Sequence, residues 1–187
     1  MRSVLPFDEL NKFVTITLPS HFGASGKVKS KKDEEDIIDE LLDLFLLAYA
    51  MGNSVTRENL PSNYEPSLDD VMGVVDAKVA GKTWRERVEE YFSSGGTEAD
   101  IARIADTETH RIANTAALNT AIESGATLKT WVTMLDDRVR DTHFPLEGVS
   151  VPIDADFYTW DGDRAQAPGL FERAENNVNC RCELLFE

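Results

Sequence analysis

From Thr97 to Gly125 the chain keeps one helical periodicity, and two residues inside its apolar stripe restrict what can pack there. Wound at about 100° per residue, Ile101, Ile104, Ala105, Ile112, Ala116 and Ile122 share one side. Glu108 and Asn119 fall on that same side, whereas His110 falls opposite. A carboxylate on an apolar helix face is costly unless it is paired or neutralised. The run Asp136-Asp-Arg-Val-Arg140 offers the partner, which predicts an ion pair of Glu108 with Arg138 or Arg140. The alternative is a glutamate at the rim of the stripe that reaches water.

Beyond Gly125 the hydrophobic period changes. Leu128–Leu135 alternates apolar with polar residues around Trp131 and reads as a strand. Gly148-Val-Ser-Val-Pro-Ile-Asp154 predicts a second strand or strand pair, Phe157–Asp163 a turn-rich excursion, and Asn179-Cys-Arg-Cys-Glu-Leu-Leu-Phe186 the last strand. A small antiparallel sheet packed on one long helix is an α+β lobe.

The first half is helical. Asp33-Glu-Glu-Asp36 places negative charge at a helix start, and Gly52-Asn53 predicts its stop after Met51. Ile37, Ile38, Leu41, Leu42, Phe45, Ala48 and Tyr49 make one broad face, which Leu44, Leu46 and Leu47 widen until little is left for water. A core helix is the first reading of such a segment, and a helix held by a partner subunit the second. Ser67 caps a helix that carries on to Gly81, and a further helix is expected over 83–92, with Trp84, Val88, Tyr91 and Phe92 on one side. Before them, Lys12–Leu18 has β-branched residues in rough alternation and predicts a short strand or extended arm. The expected organisation is a mainly helical region over 1–96 and an α+β domain over 97–187.

Charge narrows the partners. Across 187 residues the net charge is −15, and a body this acidic repels a phosphate backbone, so free nucleic acid is a poor default partner. The basic cluster Lys27–Lys32 is short and sits in a Gly/Ser-rich stretch, as a solvated linker does. The most apolar run, Leu41–Met51, contains Asp43 and falls short of the ~20 residues a bilayer span needs. At the start, Leu5-Pro-Phe7 is followed at once by Asp8 and Glu9, which fits no secretory signal. A soluble chain with reduced thiols is expected, because bridging Cys180 to Cys182 would close a strained ring.

Taken in order, Ile104-Ala-Asp-Thr-Glu108, Trp131, Asp136-Asp-Arg-Val-Arg140, His143 followed by Glu147-Gly148, Asp154-Ala-Asp-Phe157 and Asn179-Cys-Arg-Cys182 form an ordered set. No single piece is specific, but the set resembles the phage head morphogenesis family, the minor head proteins similar to the F protein of phage Mu. The resemblance covers roughly residues 97–187. It implies a virion or assembly component in the host cytoplasm and the phage head, acting in capsid assembly near the portal. Its partners would be capsid or portal proteins, or another copy of itself. The family-pattern residues Trp131, Gly148, Phe157 and Asn179 would specify the fold, as core, turn and loop positions. Two departures stand out. Asp106 occupies a position where the family commonly has a basic residue, and the helical half is shorter than in many members.

Three kinds of chemistry are open to the block. Residues i and i+2 of a strand face the same side, so Cys180 and Cys182 can address one site. His143 would be a third ligand and Asp136 a fourth, with Asp137 or His110 as substitutes, and such a set would take zinc. Without a metal, the same residues are two small thiols packing the sheet on the helix. As an enzyme, His143 with the C-x-C would make a metal-dependent nuclease or a cysteine–histidine hydrolase. Yet the chain has no strained nucleophile turn, glycine-rich phosphate loop or H-E-x-x-H helix. A non-enzymatic structural and interaction module is the expectation. No cofactor is required by the sequence, and zinc is the one it could hold.

Overall fold

The computed structural model describes residues 7–60 and 62–187. Helices α1 (Phe7–Lys12) and α2 (Leu18–Ser20) flank a π-helical turn, Phe13–Thr17, and lead into α3 (Lys31–Asn59), α4 (Leu68–Val75), α5 (Trp84–Ser94) and α6 (Glu98–Glu123). After α6 come β1 (Leu128–Val132), a 3-10 turn at Phe144–Leu146, β2 (Ser150–Pro152), β3 (Phe157–Tyr158), β4 (Arg164–Ala165), α7 (Ala174–Asn177) and β5 (Glu183–Phe186). The class is α+β, with a helical first half. No helix among the described residues is long and apolar enough to cross a membrane.

Helix starts follow the chemistry of their caps. Ser67 with Asp70, and Thr83 with Glu86, form reciprocal capping boxes that satisfy free N–H groups of α4 and α5. At α6 the Asp100 carboxylate accepts from both the Thr97 N–H and its hydroxyl, each at 2.9 Å. Each such cap contributes about 1 kcal/mol.

α3 and α6 form the principal packed pair. α3 does not stop at Met51 as the glycine predicts; it runs on to Asn59. Gly52 is there because α6 comes so close: a Cβ on it would lie 2.2 Å from the Ala113 carbonyl oxygen. The expected strand at Lys12–Leu18 is helical instead. Leu10, Phe13 and Leu18 are buried in the helical core, and the Thr15 hydroxyl donates to the Asn11 carbonyl at 2.7 Å, so burial has overridden a weak β preference.

Two apolar clusters meet along α6. The larger joins the helices through Phe45, Trp84, Val88, Ile101, Ile104 and Ile112; Phe45 and Trp84 pack edge to face at 5.1 Å. The smaller lies under the sheet and contains Trp131, Phe157, Phe171, Leu184, Cys180 and Cys182. Ala117 belongs to the first and its neighbour Leu118 to the second. The sheet is antiparallel with order β2-β1-β5, and β1 pairs Trp131 with Leu184 and Thr130 with Ser150. β3 and β4 form a separate ribbon: β3 opens the stretch expected to be turn-rich, and β4 follows directly after it.

Candidate functional site

His143 stands at the start of the 3-10 turn that comes after β1, where its N–H donates to the Arg140 carbonyl at 2.9 Å. Cys180 and Cys182 lie just ahead of β5, which begins at Glu183, and not on the strand expected from Asn179 onward. The fold brings all three together: His143 Nδ1 is 3.6 Å from the Cys180 Sγ and 3.6 Å from the Cys182 Sγ. None of the three is more than 4 % exposed. The imidazole sits in an aromatic cage, stacked on Phe171 at 5.1 Å and edge-on to Trp131 at 5.5 Å. Its Nε2 has no hydrogen-bond partner there.

The loop carrying the cysteines is fixed by its backbone. Asn114 on α6 donates to the Cys182 carbonyl at 3.1 Å, Thr107 accepts from the Asn179 N–H at 3.2 Å, and Arg140 donates to the Val178 carbonyl. Asn179 takes the left-handed conformation, φ 55°, that asparagine tolerates better than most side chains. With the loop held this way, Cys180 and Cys182 face inward and Arg181 faces outward. The Arg181 guanidinium grips Asp136 with two bonds, 2.8 and 2.7 Å, and so holds that carboxyl below its ordinary range.

A hydrogen bond from Cys182, and then His143, pull Cys180 well down against its burial, whereas that same bond and burial push Cys182 up. Next to the Cys182 sulfur and the imidazole is a cavity of ≈ 10 Å³, lined by Met134, Arg138, Val139, Arg140, Asn179 and Arg181. That is about the room of one water molecule. It does not admit a peptide or a nucleotide.

Several expected placements need correction. Asp136 is not a fourth ligand: it lies on the surface, engaged by Arg181, outside the His143–Cys180–Cys182 group. Glu108 is buried, but its partners are Arg111 on its own helix, 2.6 Å away, and Arg87 of α5. Arg138 is exposed and Arg140 is committed to the Val178 carbonyl, so neither reaches it. A local signal for Arg111 does exist in the sequence, since residues three apart on a helix are neighbours. The same guanidinium also donates to the carbonyls of Val74 and Val75, 2.9 and 3.1 Å away, and so closes the end of α4.

The family-pattern residues occupy structural positions. Trp131 is fully buried, 5.1 Å from Phe157, and Gly148 turns with φ 72° while its N–H donates to the Trp131 carbonyl. A carboxylate outside the pattern, Asp163, organises the last loop. It accepts from the N–H groups of Arg164, Glu172 and Arg173 and from the Asn176 amide. Burial opposes its ionisation, yet these donors, Asn176 foremost, hold it below the ordinary carboxylate range.

The profile of the family described as Phage Mu protein F like protein matches residues 63–185, from ahead of α4 to within β5. The chain belongs to this family. Among curated relatives, the minor head protein GP7 of Bacillus phage SPP1 is 27% identical over 119 residues, covering 62% of this chain and 39% of that protein. An Enterococcus faecalis protein named NAD(+)–arginine ADP-ribosyltransferase EFV is 32% identical over 148 residues, covering 61% of this chain and 30% of that protein. The chain thus spans about a third of the length of these two relatives. No solved structure matches. For a Mu F-like protein, the matched region is wider than the motif block alone, since it takes in α4 and α5, which supply Arg87 and the carbonyls that Arg111 caps.

Proposed function

We propose that this Mu F-like protein is a structural component of phage head assembly that works by docking on capsid or portal subunits, without turnover. The observation that carries the reading is the family match over residues 63–185, together with a relative that is itself named a minor head protein. The site geometry is in keeping with it. His143 and both cysteines, the groups a hydrolase or nuclease would need, are enclosed beside a cavity of ≈ 10 Å³. The surface of the same lobe, by contrast, carries large apolar side chains: Leu135, Phe144, Tyr158 and Trp160 are each more than 60 % exposed. Large exposed aromatics of this kind are the side chains that anchor protein interfaces. The net charge of −15 favours protein partners over a phosphate backbone.

The test uses a phage or prophage that encodes the chain. Mass spectrometry of purified procapsids and virions is expected to find the protein in both or in procapsids, and deletion of its gene is expected to lower the yield of filled heads. Absence from both particles, with a normal head yield in the deletion, would refute the reading.

A further inference from the structure

We propose that His143 Nδ1, Cys180 Sγ and Cys182 Sγ form a structural zinc site that fastens the last strand to the sheet lobe. Zn–S bonds of ≈ 2.3 Å and Zn–N bonds of ≈ 2.0–2.1 Å at tetrahedral angles put sulfur and nitrogen about 3.6 Å apart. Both sulfurs stand at 3.6 Å from the same nitrogen. A hydrogen bond accounts for only one of these contacts, because a neutral imidazole nitrogen has a single in-plane lone pair. Two sulfurs equally placed on one nitrogen suit a centre that all three ligands share.

The donor set and the surroundings agree with zinc. Two thiolates and an imidazole are the soft and borderline ligands it takes, and Zn²⁺ with two thiolates is neutral overall, which suits a site this deeply buried. On binding, the thiol protons leave to solvent. The fourth position opens on the ≈ 10 Å³ cavity beside Cys182, room for one water ligand and no carboxylate among its lining residues. The ligands are also held without the metal. Asn114 fixes the Cys182 carbonyl, Arg140 the Val178 carbonyl, Thr107 the Asn179 N–H, and Phe171 with Trp131 orients the imidazole. A site so enclosed has no position for a substrate, so the role is structural. His143 lies after β1 and the cysteines lead into β5, so an ion between them closes the sheet where the two strands pair.

The test measures metal on the full chain, purified under reducing conditions from medium supplied with zinc. One zinc per chain is expected, with a melting temperature that falls when a strong chelator removes it and recovers when zinc is returned. Replacing zinc by Co²⁺ should give sulfur-to-cobalt charge-transfer absorption, and Cys182→Ser should weaken those bands. Because cysteine variants can misfold, the wild-type chain decides. Trace zinc, no charge-transfer bands and a chelator-insensitive melt would overturn the proposal. So would stoichiometric zinc that persists in a Cys180→Ser/Cys182→Ser double variant whose far-ultraviolet circular dichroism is native, since the ion would then lie elsewhere.

Discussion

Replacing Gly52 by alanine sets two effects of known size against each other. Alanine in a helix interior is favoured over glycine by about 1 kcal/mol, because glycine loses more backbone freedom on folding. If α3 were an ordinary surface helix at this point, Gly52→Ala would therefore stabilise the protein. The structure predicts the reverse. The new Cβ would meet the Ala113 carbonyl oxygen at 2.2 Å, its carbon at 3.0 Å and its Cα at 3.1 Å, all of them backbone atoms that no rotamer change can move. A normal carbon–oxygen contact is about 3.3–3.6 Å, so α3 and α6 must part by roughly 1 Å along their principal seam. Overpacking of this kind costs about 1–3 kcal/mol, and a backbone obstacle puts the cost at the upper end. Less the propensity gain, the net loss is about 2 kcal/mol, equivalent to a melting temperature lower by roughly 4–8 °C in a domain of this size. Gly73 is the control: it lies on the exposed side of α4 with nothing within 4 Å of an added Cβ, so Gly73→Ala should stabilise by about 0.5–1 kcal/mol. Urea unfolding followed by circular dichroism reads both. A Gly52→Ala protein as stable as Gly73→Ala would refute the close approach of α3 and α6.

Three other perturbations probe the charged groups. Glu108→Ala leaves Arg111 buried with its carboxylate gone and should cost about 3–5 kcal/mol in urea unfolding; a loss under about half a kcal/mol would mean that Glu108 is solvated. Asp163 is depressed in the folded state, so its stabilisation is complete above the unfolded value of about 3.9 and disappears as pH falls through the folded value. The stability gap between wild type and Asp163→Asn should accordingly be constant near neutral pH and shrink below about pH 4, and a gap independent of pH down to the acid limit would contradict this. Asp136→Ala removes an exposed pair with Arg181 and an exposed bond from the Arg138 N–H, so zinc content should stay at the wild-type value and the melting temperature close to it; loss of zinc would restore Asp136 as a ligand.

What can be read from the chain differs by the range of the interaction. Caps, periodicity and alternation act over a few residues, which is why α5, α6 and β1 can be placed from residue order alone, whereas α4 ends at Val75, short of the expected 81, and β5 begins at Glu183 and not at Asn179. Gly52 misleads because a helix-breaking residue and a helix-crossing residue look the same until the second helix is in position. For Glu108 the acidic–basic run at 136–140 draws attention to distant arginines, while Arg111 stands one turn along the same helix. Residue type suggests the meeting of His143 with Cys180 and Cys182, yet it does not place Asp136. Alternation sets residue 181 opposite its neighbours, and nothing local says that Arg181 will reach back to Asp136. Asp163 carries no signal because three of its partners are backbone N–H groups, which every sequence contains, and the fourth, Asn176, stands 13 residues away.

The buried polar residues of α6 explain how one helix can serve two cores without sliding between them. Apolar packing is tolerant of small rotations and shifts, because it needs volume more than direction. Hydrogen bonds need direction, and an unmade one in the interior costs about 1–3 kcal/mol. Along α6 four of the buried polar side chains bind four different neighbours. Glu108 takes Arg87 of α5, Arg111 takes the end of α4, Asn114 takes the Cys182 carbonyl, and Thr120 takes Asn53 of α3 at 2.9 Å. Turning α6 by one residue, about 100°, would break all four at once. Gly169 adds a steric stop: a Cβ there would fall 2.9 Å from the Arg111 Cα, so the loop ahead of Phe171 rests directly on α6. The register of α6 therefore fixes the distance between the helical half and the Cys182 loop. A chain with a purely apolar α6 would keep two cores, but the loop that brings the sulfurs to His143 would lose the anchor that Asn114 gives it on that helix.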